Sequence, residues 1–143
     1  FCLINGDTIF DAPLLGSALA RIGDGVSLLV DKGPLELDDM RVEVDGDRII
    51  AVSKALPNDN TLLRSLGMIV SAEHGGGAYR DALERIIAQP QGHLSYHHDI
   101  IDMLAKEEVV RAVRVDSGHW REIDLPEDIR KYEEFAARLE KAG

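Results

Sequence analysis

Apolar residues fall along this chain in runs of two kinds, some continuous and some at helical spacing. Residues 1–4, Phe-Cys-Leu-Ile, predict a strand buried on both faces that stops abruptly at Asn5-Gly6-Asp7. Residues 26–30 predict a second strand of the same character, ending at Asp31 and Gly33-Pro34. Between them Leu14, Leu15, Ala18, Leu19 and Ile22 recur at helical spacing, with Asp11 suited to cap that helix, Pro13 to its first turn, and Gly23-Asp24-Gly25 to end it. Residues 40–52 carry Asp45-Gly46 between two β-rich arms, a strong hairpin signal, and Ser53-Lys54 follows directly. Further on, the pattern predicts a strand over 66–70, glycines 75–77 turning into a helix over about 78–88, a helix over 99–107 and a strand over 109–115. A charged helix over 126–142 presents Ile129, Tyr132, Phe135, Ala136 and Leu139 on one side, for packing on the sheet or, less simply, for a homodimer contact.

Strands alternating with helices, two of them continuous apolar runs, predict an α/β fold: a mixed, largely parallel sheet flanked by helices, with a hairpin inserted. With no repeat, low-complexity tract or linker, residues 1–143 read as a single domain. Ligands of such sheets bind beyond the C-terminal strand ends, where Asp7 and Asp31 are expected. Composition adds little to this, at 45% hydrophobic and 29% charged residues, and no apolar run approaches the roughly 20 residues that span a bilayer.

Charge changes the picture more. Twenty-six acidic and 16 basic residues give a formal charge of −10, which argues against a nucleic-acid partner. An acidic protein that handles phosphate must bring cations to it, as a metal or as a few placed lysines and arginines. The single Cys2, set inside the first apolar run, allows no intrachain disulfide, so a reducing cytoplasm is the default expectation. The sequence opens inside that run, with no initiator Met, basic n-region or cleavage site, and so reads as cut.

Two stretches could carry chemistry. Asn5-Gly6-Asp7 puts a carboxylate just past a strand, beside a glycine that lets a ligand approach, which suits a hard metal ion; taken alone, it reads more simply as a turn. Residues 119–135, HWREIDLPEDIRKYEEF, place Asp124 at the junction with a helix whose first turn holds Pro126, Glu127 and Asp128, where a bare capping role would suffice. Other signals are discounted. His74-Gly75-Gly76-Gly77 resembles a lipase oxyanion loop but has no G-x-S-x-G partner, and His93 with His97 lacks the glutamate of H-E-x-x-H.

Together, NGD after the first strand, SK after the hairpin and W-x-E-I-D-x-P-E-D near the end resemble the pyrophosphorylase-like nucleotidyltransferases. That family includes sugar-phosphate nucleotidyltransferases and phosphocholine cytidylyltransferases. The similarity is greater to the second branch, through Asp31, DDMRV at 38–42, DGDRIIAVSKAL at 45–56, SLGMIV at 65–70 and YHHDIIDML at 96–104. The resemblance implies a Rossmann-like, nucleotide-diphospho-sugar transferase type of fold, of which this chain is the C-terminal part. The N-terminal strand–loop–helix portion, with the family's G-x-G-x-R loop and Pro-Lys, would be missing: roughly 90 to 100 residues by family and unit size.

The resemblance further implies that Asp7 and Asp124 are the two carboxylates that hold Mg²⁺ and that Lys54 contacts the acceptor phosphate. Asp99 would lie near the acceptor head group, and Gly67 and Trp120 at the substrate. The implied reaction moves a nucleotidyl group, CMP by preference from CTP, to a small phosphorylated or phosphonate acceptor and releases pyrophosphate. A sugar 1-phosphate is the alternative acceptor. Choline is disfavoured because His97 and His98 replace the expected aromatics, leaving Tyr96 and Trp120. Leu125 replaces the family's threonine cap, and Arg64 stands where a polar or acidic residue is expected. The competing reading is a non-catalytic α/β module for assembly or small-molecule binding. Neither reading calls for a membrane.

Overall fold

The computed structural model describes residues 1–57, 59, 61–72, 74–116 and 119–142, with the side chains of Leu139, Lys141 and Ala142 outside that description. Its main sheet has six strands. They are β1 (Cys2–Ile4), β3 (Val26–Asp31), β4 (Arg41–Asp45), β5 (Arg48–Ser53), β6 (Leu63–Ser71) and β7 (Val110–Arg114), in the order β1-β6-β3-β7-β5-β4. A separate ribbon pairs β2 (Thr8–Phe10) with β8 (Trp120–Glu122). The helices are α1 (Ala12–Leu19), α2 (Gly75–Ile87), α3 (His97–Lys106) and α4 (Pro126–Ala142). No described helix is long and apolar enough to cross a membrane.

The sheet is mixed, as expected, but mostly antiparallel. Among the described residues only β3 and β7 run parallel, while β1–β6, β3–β6, β4–β5, β4–β6 and β5–β7 are antiparallel. A continuous apolar run reports burial on both faces, which says nothing about strand direction. β3 shows the point: all six of its residues are buried, Leu28 in a core with α2 and α3, Leu29 in a second core with α1 and Trp120. β4 pairs with the start of β6 as well as with β5, through Arg41↔Arg64 and Val42↔Leu63. Strands β6, β3, β7, β5 and β4 thereby close a five-strand circuit, which departs from a plain Rossmann-like flanked sheet.

The first apolar run is the other correction. β1 is an edge strand paired on one side by β6, and Cys2 and Ile4 are exposed. Phe1 lies edge-on to Tyr79 at 5.1 Å instead of entering the core. The hairpin forms at Asp45-Gly46, with Gly46 at φ +64°. Asp11 caps α1 by accepting the Leu14 N–H at 2.9 Å, as its position predicts. Glycines 75–77, expected as a turn, are already helical. A Cβ on Gly75 would stand 2.3 Å from the Gly25 carbonyl oxygen, so the helix can start there only with glycine. His93 lies in a separate 3₁₀ turn, Gly92–Leu94, so it shares no helix face with His97. α4 buries Phe135, over which the Arg121 guanidinium of β8 lies at 5.7 Å, so this helix rests by the small ribbon.

Candidate active site

The β2–β8 ribbon brings the two ends of the sequence together. Thr8 faces Glu122, Phe10 faces Trp120, and the Ile123 N–H donates to the Asp7 carbonyl at 3.1 Å. That register sets Asp7 beside Asp124 on one rim. The ribbon is fastened to the main sheet by Thr8, whose hydroxyl donates to the Leu66 carbonyl at 3.1 Å. Sequence patterning does not reveal these three-residue strands, because their pairing is not local.

Asp7 and Asp124 border a cleft of about 860 Å³ that also takes in Lys54, Asp99, Tyr96, His97, His98 and Ser65. Four of the expected residues, Asp7, Lys54, Asp99 and Asp124, therefore share one cavity. Gly67 does not line it. At φ +65° it leaves room for Asn5, whose Nδ2 would be 2.2 Å from any Cβ there, and its carbonyl accepts the Asn5 N–H at 3.1 Å. Gly67 thus shapes the floor beneath a lining residue. Trp120 is also outside the cleft: it is buried, and one edge borders an adjoining depression of about 590 Å³ that shares Asp38, Asp39, Glu122 and Asp124 with the first.

Asp31, expected to face a ligand, is fully buried and consumed by protein contacts. It accepts Arg64 Nε at 2.7 Å and Nη2 at 3.1 Å, the Gly33 N–H at 2.7 Å, and the Trp120 indole N–H. Arg64 in turn lies 4.7 Å over the Trp120 ring. The unexpected Arg64 is therefore the partly buried partner of Asp31, a fork-shaped donor on a carboxylate. Asp99 lines the cleft while its carboxylate also accepts the Tyr96 N–H at 2.7 Å, fixing the start of α3. At α4 the missing threonine cap is replaced by Asp128, which accepts the Leu125 N–H at 2.9 Å and the Asp124 N–H at 3.3 Å.

Three residues that sequence reasoning left out complete the site. Arg41, buried, donates Nη1 to the carbonyls of Lys54 at 2.6 Å and Leu56 at 2.8 Å, and Nη2 to that of Leu37 at 3.2 Å. It ties the Lys54 turn to the loop bearing Asp38 and Asp39. Glu122 ends β8 two residues before Asp124, and both line the cleft. Its carboxyl is pushed up to about 7, first by burial and then by the charges of Asp124, Asp7 and Asp39, against the pull of Arg64. The W-x-E-I-D alternation was the signal for it. His98, buried, meets Ser65 Oγ through Nε2 at 2.9 Å, and burial aided by His97 and Lys54 drives its pKa down to about 3.

Asp124 is itself raised, by burial and then by Asp7, Asp38 and Asp128, with Lys54 opposing. Neither Asp7 nor Asp124 accepts a side-chain hydrogen bond from a described residue. Two unneutralised carboxylates on one rim are a suitable donor set for a small divalent cation that fills its remaining positions with water and phosphate oxygens. No group of three or more candidate ligands exists among the described residues, as a zinc site would need.

Comparison with family models and with curated proteins gives no match to this sequence. The structure does have neighbours. An inositol-1-phosphate CTP transferase from T. maritima superposes with a TM-score of 0.69 at 20% identity, over 95% of this chain and 54% of its own. A Bacillus anthracis protein described as a glucose-1-phosphate thymidylyltransferase, in complex with sucrose, gives 0.66 at 13% identity, over 91% of this chain and 51% of its own. The chain has the α/β fold of these nucleotidyltransferases and spans about half the length of each.

Proposed function

We propose that this cleft is the metal and acceptor-phosphate side of a nucleotidyl-transfer site. The observation that carries the reading is the meeting of Asp7 and Asp124, from opposite ends of the sequence, on the rim of a cleft that also holds Lys54. The fold shared with a CTP transferase and a thymidylyltransferase supports it. In the reaction a phosphate or phosphonate oxygen of the acceptor attacks the α-phosphorus of a nucleoside triphosphate. A new P–O–P bond forms, the bond to the β-phosphate oxygen breaks, and pyrophosphate leaves. The attacking oxygen is already ionised at neutral pH, so no general base is required.

Lys54 holds the acceptor phosphate with a compact cation, and Arg41 sets the backbone from which that side chain projects. Asp7 and Asp124 hold Mg²⁺, which supplies charge neutralisation where phosphate groups converge. These cations reconcile an acidic protein with anionic substrates. CTP is the first nucleotide to offer, with sugar 1-phosphates, polyol phosphates and aminoalkyl phosphonates as acceptors. Consumption of a nucleoside triphosphate fits the cytoplasm.

Divalent-ion binding is testable on the chain itself. Calorimetry with Mg²⁺ or Mn²⁺ is expected to show one site, weakened about tenfold or more in Asp7→Asn and Asp124→Asn with the fold retained. In the protein that carries this chain, either variant is expected to abolish pyrophosphate release. Near-normal release from either one refutes the assignment.

A further inference from the structure

We propose that His98 binds the phosphoryl group of the acceptor through an Nδ1–H donor whose tautomer is set from behind by Ser65 and Gly67. The inference rests on the function proposed above and adds a residue to it. Ser65 Oγ accepts the Gly67 N–H at 2.9 Å and meets His98 Nε2 at 2.9 Å. Ser65 is 5% exposed and its hydroxyl has no other hydrogen-bond partner among the described residues. Were it to accept from His98 as well, no described protein group would receive its own hydroxyl proton. Satisfying every proton therefore requires Ser65 to donate to Nε2, which leaves the ring's proton on Nδ1.

That Nδ1–H has no protein partner among the described residues, although His98 is 6% exposed and lines the cleft with Lys54. The ring is braced by His97, 4.1 Å away, and sits two residues after Tyr96, whose N–H the Asp99 carboxylate holds at the start of α3. Burial and the neighbouring Lys54 keep the imidazole neutral, so it offers a hydrogen bond and no charge. An anionic oxygen held by the Lys54 ammonium satisfies this donor; a cationic head group does not. The relay also gives Gly67 a part in binding, through its backbone N–H and not through contact with substrate.

Histidine-specific ¹⁵N labelling of the chain and imidazole NMR at pH 7 read this directly, with inorganic phosphate as the probe. Expected are a neutral His98 with its proton on Nδ1 and a saturable shift of that resonance on adding phosphate, with affinity about tenfold weaker in Lys54→Met. In Ser65→Ala, whose fold is checked from the amide spectrum, the two tautomers mix and phosphate affinity falls about threefold or more. An Nε2–H tautomer, an imidazolium at pH 7, or an Nδ1 resonance unmoved by saturating phosphate overturns the proposal. Pyrophosphate release is measured separately. A silent Nδ1 alongside intact transfer overturns this inference alone, whereas a responsive Nδ1 without transfer overturns the function and keeps the phosphate subsite.

Discussion

Replacing Glu122 by glutamine tests the electrostatics of the site without reference to any reaction. An acid raised from 4.5 to about 7 binds its proton more tightly in the folded state than in the unfolded one. Its effect is nil below the unfolded value, and it becomes a growing liability as pH climbs from about 4.5 through about 7. At about 1.4 kcal/mol per tenfold change in proton affinity, the shift corresponds to about 3 kcal/mol; solvent screening of this partly buried side chain reduces that to about 1–2 kcal/mol. Glu122→Gln is therefore expected to match the parent near pH 4 and to exceed it by about 1–2 kcal/mol above pH 8. Urea denaturation from pH 4 to 8.5, with a chelator present, measures the difference. Adding Mg²⁺ is expected to shrink the gap, since a cation at Asp7 and Asp124 relieves the same repulsion. A difference that stays constant with pH, or a parent more stable at pH 8, refutes the reasoning.

Three further outcomes follow from the contacts described. Asp31→Ala leaves the partly buried Arg64 guanidinium without its carboxylate and the Gly33 and Trp120 N–H groups without their acceptor, and is expected to cost about 3 kcal/mol or more in chemical denaturation. Gly67→Ala forces a left-handed backbone on alanine and displaces Asn5; a loss of about 2 kcal/mol is expected in the same assay, and an unchanged midpoint contradicts it. Arg41→Met keeps the bulk but frees three carbonyls, so amide exchange is expected to quicken at residues 53–56 while α2 and α3 stay protected.

Much of this was legible in the sequence because it is local. The Asp11 cap, the Asp45-Gly46 hairpin and the α4 boundaries each follow from side-chain chemistry within a few residues. The shared cleft of Asp7, Lys54 and Asp124 was legible only through motif order, since nothing local says that the two ends meet. What escaped depends on partners distant in the chain. The run at residues 1–4 looks like a central strand until β6 is seen to flank it on one side alone. Asp31 looks like a ligand-facing strand end until Arg64 and Trp120 claim its oxygens. Arg41, Ser65 and His98 lie inside stretches that carry the resemblance, yet nothing in those stretches assigns them a role, which arises from burial that only the folded chain creates.

The ribbon that joins β2 to β8 sets an order of events during synthesis. β2 emerges before β8, which follows only after nearly all the intervening sheet has been made, several seconds later at ordinary translation rates of about 5–20 residues per second. Until then Asp7 lacks Asp124 beside it. The core around β3 and β6 can therefore condense while the site is still half built, and, on the function proposed above, capture of a divalent cation would mark the moment at which β8 folds back. Clipping the chain ahead of Trp120 is accordingly expected to leave much of the core standing and to erase metal binding altogether.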